Sequence, residues 1–266
     1  MTAISLPAPP RRLSPVAGLR NTATLTWRSL LKLRTNYEEL LGLSLTPVMY
    51  LLLFTYVFGG AVSGNVHDYL QYELPGILVL SVIFSTLGTG MALSQDIATG
   101  VFDRFRSLPI SRTAPLAGAV LGDVTRYAIS VAITLFFGML LGFRIQTPPL
   151  AAAAACLLVL LFAVAMCWFS ALIGLMVKNA RSVQWIGSLI YFPLTFGSNM
   201  LVKTSTLPGW MQAFVKGNPM TFLTDAERGF LVGGAVATPM IRSLLWVLGM
   251  FVVFAPLAVL VYRRRT

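Results

Sequence analysis

Residues 95–123, QDIATGVFDRFRSLPISRTAPLAGAVLGD, form a long polar interruption between two strongly apolar runs, and Arg104, Arg106 and Arg112 make the interruption basic. The flanking runs, residues 74–94 and 120–143, each have about the 20 residues that a helix needs to cross hydrocarbon. A loop between two such spans lies on one side of a membrane. The side this one takes fixes the orientation of the whole chain.

Composition supports the membrane reading. The 266 residues are 56% hydrophobic and 11% charged, with a mean hydropathy of +0.78; a soluble domain carries about 25% charged residues. Further apolar runs cover residues 40–60, 150–177, 183–201 and 240–262. The expected fold is therefore an all-α membrane protein with six transmembrane helices. Pro47 and Pro193 fall within the first and fifth runs, where neighbouring helices must re-satisfy the interrupted backbone. Gly76, Gly88 and Gly90 in the second run permit close helix contact. Residues 61–71, without Lys or Arg, read as a short loop.

Ahead of the first span, residues 1–18 hold Pro7, Pro9, Pro10 and Pro15 and are expected to form a disordered tail. No apolar run follows Arg11 and Arg12, so this is not read as a secretory signal. Residues 19–36 place Leu19, Ala23, Trp27 and Leu30 on one helical face and Arg20, Thr24 and Arg28 on another. That pattern suits an amphipathic helix at the membrane interface, or a solvated run-up to the first span. The expected organisation is thus a tail over 1–18, an amphipathic helix over 19–36 and a six-span unit over 37–266.

The net charge of +11 could indicate nucleic-acid binding, but its distribution points elsewhere. With six spans, the N-terminal arm, residues 95–123, the 178–181 turn and the tail at 263–265 share one side, and they carry fourteen of the 20 Lys and Arg. The other side has Arg144, Lys203, Lys216, Arg228 and Arg242, while Arg126 lies near the start of the third span. This asymmetry makes both termini cytoplasmic, in a cell membrane expected to be bacterial. No nucleic-acid partner is expected; membrane lipids are.

Several chemistries lack their residues. The dipeptide Gly-Lys never occurs, so there is no phosphate loop, and neither H-E-x-x-H nor G-x-S-x-G is present. Cys156 and Cys167 read as small apolar residues, and His67, the lone histidine, makes no ligand cluster. No catalytic, cofactor-binding or metal-binding residue is assigned, and the chain is not expected to be an enzyme. Energy for any work must arrive from outside it.

In the central loop, Ile97, Val101, Phe105 and Leu108 share a helical face that Phe102 widens, Asp103 and Arg106 lie opposite, and Pro109 stops the helix. Such a helix either lies on lipid headgroups or plugs into a groove of another protein, with Phe102 and Phe105 as anchors. Asp123 and Arg126, three apart, are expected to form a structural ion pair. Glu38 and Glu39 face Lys32, Arg34 or the basic loop as partners. Before the last span, a short helix over 208–215 carries Trp210 as an interface anchor. A second helix starts with Asn218 as N-cap and Pro219 at its first position, buries Phe222, Leu223, Ala226 and Phe230, and ends at Gly233-Gly234. Both are expected to lie in, or dip into, the outer leaflet.

These residues carry a resemblance. Leu207-Pro208-Gly209-Trp210, Asn218-Pro219 and the D-A-x-R-G of 225–229, in that order before the last span, resemble the type-2 ABC exporter permeases. FDRFRSLP at 102–109 followed by SRTAPLAGAVLGD at 111–123 is similar to their daunorubicin-resistance-like branch. The likeness covers nearly the whole chain. It implies a half-transporter that pairs with a second permease copy or a paralogue and with two separate ABC ATPase subunits, which hold the ATP and Mg. It also implies that residues 19–36 are a connecting helix and that 97–108 are a coupling helix seated on the ATPase through Ile97, Val101, Phe102, Arg104, Phe105, Arg106 and Leu108. The two outer helices, with Trp210, Asn218, Pro219, Asp225 and Arg228, would shape the exit.

The implied activity is export of an amphipathic drug-like or lipid-like cargo. Phe54, Tyr56, Phe58, Met91, Phe192 and Phe196 are candidate path residues, although such stripes also serve packing. A secondary transporter is the alternative, but it calls for intramembrane carboxylates and repeated halves, and neither is evident. A membrane assembly or immunity protein is the other.

Overall fold

The computed structural model describes residues 37–100, 114–177 and 179–265. Among them the chain is helical without strands: α1 (Tyr37–Ser63), α2 (Val66–Ala98), α3 (Ala114–Leu140), α4 (Pro149–Met176), α5 (Ala180–Phe196), a 3-10 turn (Thr204–Thr206), α6 (Gly209–Gly217), α7 (Pro219–Leu231) and α8 (Ala237–Arg265). The expected tail over 1–18, the helix over 19–36 and most of the coupling segment, Val101 to Leu108, lie outside the described residues.

Helices stand at all six expected span positions. Four of them are long and apolar enough to cross a membrane: Val66–Ala98, Gly122–Leu140, Pro149–Met176 and Ala237–Tyr262. The apolar part of α1, Leu45–Gly60, is shorter, and α5 has 17 residues. The bundle has two ends. One gathers the α1–α2, α3–α4 and α5–α8 connections; the other gathers the C-terminal ends of α2, α4 and α8.

Three boundaries differ from the sequence reading. Residues 61–71 are mostly helix, because Gly64 turns the chain at φ +68 and the Asn65 side chain accepts from His67 N at 3.0 Å, starting α2 at Val66. The fifth span ends at Phe196 instead of residue 201, since Gly197 caps it and the Asn218 amide takes the Leu194 and Gly197 carbonyls at 2.7 and 2.8 Å. Ile97 belongs to the last turn of α2 and packs beside Leu93, Ala171 and Leu175. Thr99 caps that helix and Gly100 follows at φ +69.

α2 is the centre of the bundle. Its most apolar stretch is 72% buried, against 17% for α8, and it packs against α1, α3, α4, α5 and α7. The α2–α4 approach requires paired glycines: a Cβ on Gly90 would strike Ser170, and one on Gly174 would strike the Gly90 backbone. Gly76 admits the Met200 backbone, whose carbonyl oxygen would lie 2.6 Å from a Cβ there. Gly88 faces Arg126 across an open cleft.

Candidate functional site

At the end of the bundle near α6 and α7, one side chain ties three segments together. Arg228 on α7 donates from Nε to the Tyr72 carbonyl at 3.0 Å and from Nη2 to the Asn199 and Met200 carbonyls at 2.6 and 3.0 Å. Its Nη1 bonds Asp225 Oδ1 at 3.2 Å, and its guanidinium carbon stands 3.7 Å from the Tyr72 ring centroid. Asn199 Nδ2 donates to the same Asp225 oxygen at 2.6 Å. Tyr69 and Tyr72 donate to the Leu201 and Asn199 carbonyls at 3.0 and 2.9 Å. The turn after α5 is thereby fixed onto α2.

Asn218 and Pro219 stand as expected at the start of α7, with Asn218 Oδ1 accepting from Met220 N at 2.9 Å. Trp210 on α6 is 76% exposed, free to face lipid. The expected apolar face of α7 needs correction. Leu223 and Ala226 are buried, but Phe222 and Phe230 are only partly so, and Met220, Thr224, Glu227 and Leu231 complete the buried face.

The second polar cluster lies toward the other end. Asp123 and Arg126 on α3 pair at 3.1 Å. The other Asp123 oxygen accepts from Thr89 Oγ1 on α2, which also bonds Tyr127 OH at 2.8 Å, and Cys167 Sγ lies 3.4 Å from that Thr89 oxygen. Thr89, Tyr127 and Cys167 were not legible as partners, because each reads alone as a bilayer-compatible residue.

Arg126 also lines an open cleft of about 400 Å³ between α1, α2, α3 and α5, together with Tyr50, Phe84, Met91, Gln184 and the hydroxyls of Ser81 and Ser85. From this cleft an aromatic row runs toward the α7 end. Tyr50 and Phe84 lie in the wall. Phe84 meets Phe192 at 5.5 Å between centroids, Phe192 stacks on Phe196 at 5.5 Å, Phe196 reaches Phe54 at 6.4 Å, and Phe54 stacks on Phe58 at 5.5 Å. Five of the six candidate path residues are thus brought together on the row or its cleft. Tyr56 is the exception, 62% exposed on the α1 surface and absent from both. Phe84 and Tyr50 were missed, although their helical spacing from Met91 and Phe54 was a usable signal.

Two buried carboxyls were also missed. Glu73 on α2 is fully buried, with one oxygen accepting from Thr55 of α1 at 3.2 Å. Glu227 on α7 is fully buried, and neither of its oxygens has a hydrogen-bond partner among the described residues. α2 begins at Val66, about two turns before the apolar run that starts at residue 74, and so carries Glu73 into the buried interior of the bundle. Among the described residues no group of His, Cys, Asp and Glu is placed to hold a metal ion.

The family model described as ABC-2 type transporter matches residues 20–232. The chain belongs to the ABC-2 type transporter family. It is similar to the daunorubicin resistance ABC transporter permease protein of Streptomyces coeruleorubidus, with 39% identity over 94% of this chain and 89% of that one. It is also similar to a probable doxorubicin resistance ABC transporter permease protein of Mycobacterium tuberculosis, with 26% identity over 91% and 88%. An inner membrane transport permease of Escherichia coli matches at 24% over 78% and 80%. This ABC-2 permease is accordingly a multi-pass membrane protein.

Proposed function

We propose that this chain is the permease subunit of an ATP-driven exporter that moves an amphipathic, drug-like or lipid-like cargo out of the cell. The observation that supports it most directly is the aromatic row running from the α1–α2–α3–α5 cleft toward the α7 end. Rings 5.5–6.4 Å apart offer a flat apolar solute successive faces without a deep well, which suits passage over retention. The cleft's guanidinium, amide and hydroxyls suit the polar end of an amphipath. The relatives named for daunorubicin and doxorubicin resistance make such molecules the first probes to try.

In this reading all six helices cross the membrane and both termini are cytoplasmic, as the basic residues require. The cleft then opens in the cytoplasmic half, and α6 and α7 lie on the outside. Exposed Phe192, Phe196 and Phe58 leave one flank of the row uncovered, and a second permease copy closes it. ATP and Mg reside on separate ATPase subunits, reached through residues 97–108, with Phe102 and Phe105 as anchors.

The test is co-purification with a co-expressed ABC ATPase subunit, followed by ATP-dependent daunorubicin uptake into inverted vesicles. Phe105→Asp is expected to abolish uptake by uncoupling the ATPase. Phe192→Ala with Phe196→Ala is expected to reduce uptake at least about tenfold while the complex stays assembled, the loss expected from about two aromatic contacts. Undiminished uptake in both variants would refute the assignment.

A further inference from the structure

Adjacent residues on α7 meet opposite fates. Arg228 finds four oxygen partners and an aromatic ring; Glu227, just before it, turns to the other side and finds none among the described residues. That side packs against α4 and α8. Thr224 Oγ1, three residues earlier on the same face, and Ser243 Oγ on α8 are also buried without partners. A bare carboxylate in such a place would forfeit several kcal/mol of hydration with nothing to offset it.

Among the described residues the neighbouring elements supply no countercharge. α4 brings the Cys156 thiol. On α8, Arg242 lies over the Phe222 ring, 5.2 Å from its centroid. α2 brings Tyr69, Tyr72 and Glu73, the first two held on loop carbonyls and the third on Thr55. Tyr191 of α5 bonds Thr86, and Lys216 of α6 is exposed. Burial alone drives the Glu227 carboxyl well above its ordinary range.

We propose that Glu227 is a proton-binding site coupled to the seating of α7. The carboxyl is neutral while α7 packs on α4 and α8, and it gives its proton to water when that face parts. The O–H bond breaks, the carboxylate stays on α7 and the proton enters the aqueous phase. The geometry directs the parting to this face. Arg228 keeps α7 on α2, and Gln146 N and Thr147 Oγ1 hold the Leu231 and Phe230 carbonyls, whereas α8 follows α7 through Gly233 and Gly234, at φ +105 and +125, so the face opens on its α8 side. The site concerns the chain's own protonation and stands whether or not the exporter reading holds.

The sign follows from linkage. The seated state binds its proton more tightly than the parted one, so its advantage is complete at low pH and is lost as pH rises. Parting should increase about tenfold per pH unit above the ordinary glutamate range, for one proton released. Hydrogen–deuterium exchange of peptides from 219–231, in the purified chain, reads this directly, and Glu227→Gln at each pH cancels intrinsic exchange chemistry. The expected result is a ratio of wild-type to variant opening that climbs with pH; a ratio constant with pH overturns the proposal. In case the variant does not fold, the infrared carbonyl band of a neutral carboxylic acid is followed in Glu73→Gln. Its persistence at neutral pH supports the assignment, and its absence there refutes it.

Discussion

Two Asp-x-x-Arg pairs with nearly equal lengths, 3.1 and 3.2 Å, stand toward opposite ends of this bundle and do different work. Asp123–Arg126 joins helices through side chains: Thr89, Tyr127 and Cys167 extend it from α3 into α2 and α4, and the guanidinium edges a cleft. Asp225–Arg228 joins irregular backbone to helices, because the guanidinium spends its donors on the carbonyls of residues 72, 199 and 200. The same spacing on a helix therefore says that two charges can meet. What surrounds them decides whether the pair is a staple or a wall.

That contrast can be broken experimentally, beginning where the effect is largest. Arg228→Leu removes a charged donor from three part-buried carbonyls and from Asp225, and should cost about 3–5 kcal/mol, read as a collapse of the thermal transition in detergent; an unshifted transition would remove the staple from the account. Asn218→Ala loses two carbonyl bonds and an N-cap, about 2–3 kcal/mol, with faster amide exchange confined to the end of α5 and the start of α7. Gly76→Ala forces the Met200 backbone away from α2 and should cost roughly 1–3 kcal/mol; equal stability to wild type would mean that the turn is not seated as described. Asp123→Asn keeps an oxygen for Thr89 and loses the ion pair with Arg126. Its expected cost is about 1 kcal/mol, so a transport defect far larger than its melting shift would mark the cleft side of this pair as functional.

Much of this was legible in sequence. Apolar runs of near-spanning length located the six long helices, and Asn218-Pro219 announced α7 to the residue because cap chemistry is local. The Asp123–Arg126 pair was legible for the same reason. What escaped depends on contacts between distant segments. Thr89 and Cys167 are 78 residues apart in sequence, and neither signals a polar partner. Glu73 was hidden because hydropathy placed the start of the span after it, whereas Asn65 starts the helix earlier. Glu227 sat inside a motif whose neighbour, Arg228, drew the attention. The aromatic row was half legible: its α1 and α5 members fall at helical spacing, but only packing on α2 shows that Phe84 joins them to the cleft.

Asn218 has one more consequence. Its amide closes the carbonyls that end α5 while its oxygen opens α7, so a single planar group sets the distance between two helix ends. The chain running between them, through the 3-10 turn and α6, is relieved of that duty. Residues 203–217 can therefore change length and shape, altering the surface at this end of the bundle, while α5 and α7 keep their mutual position.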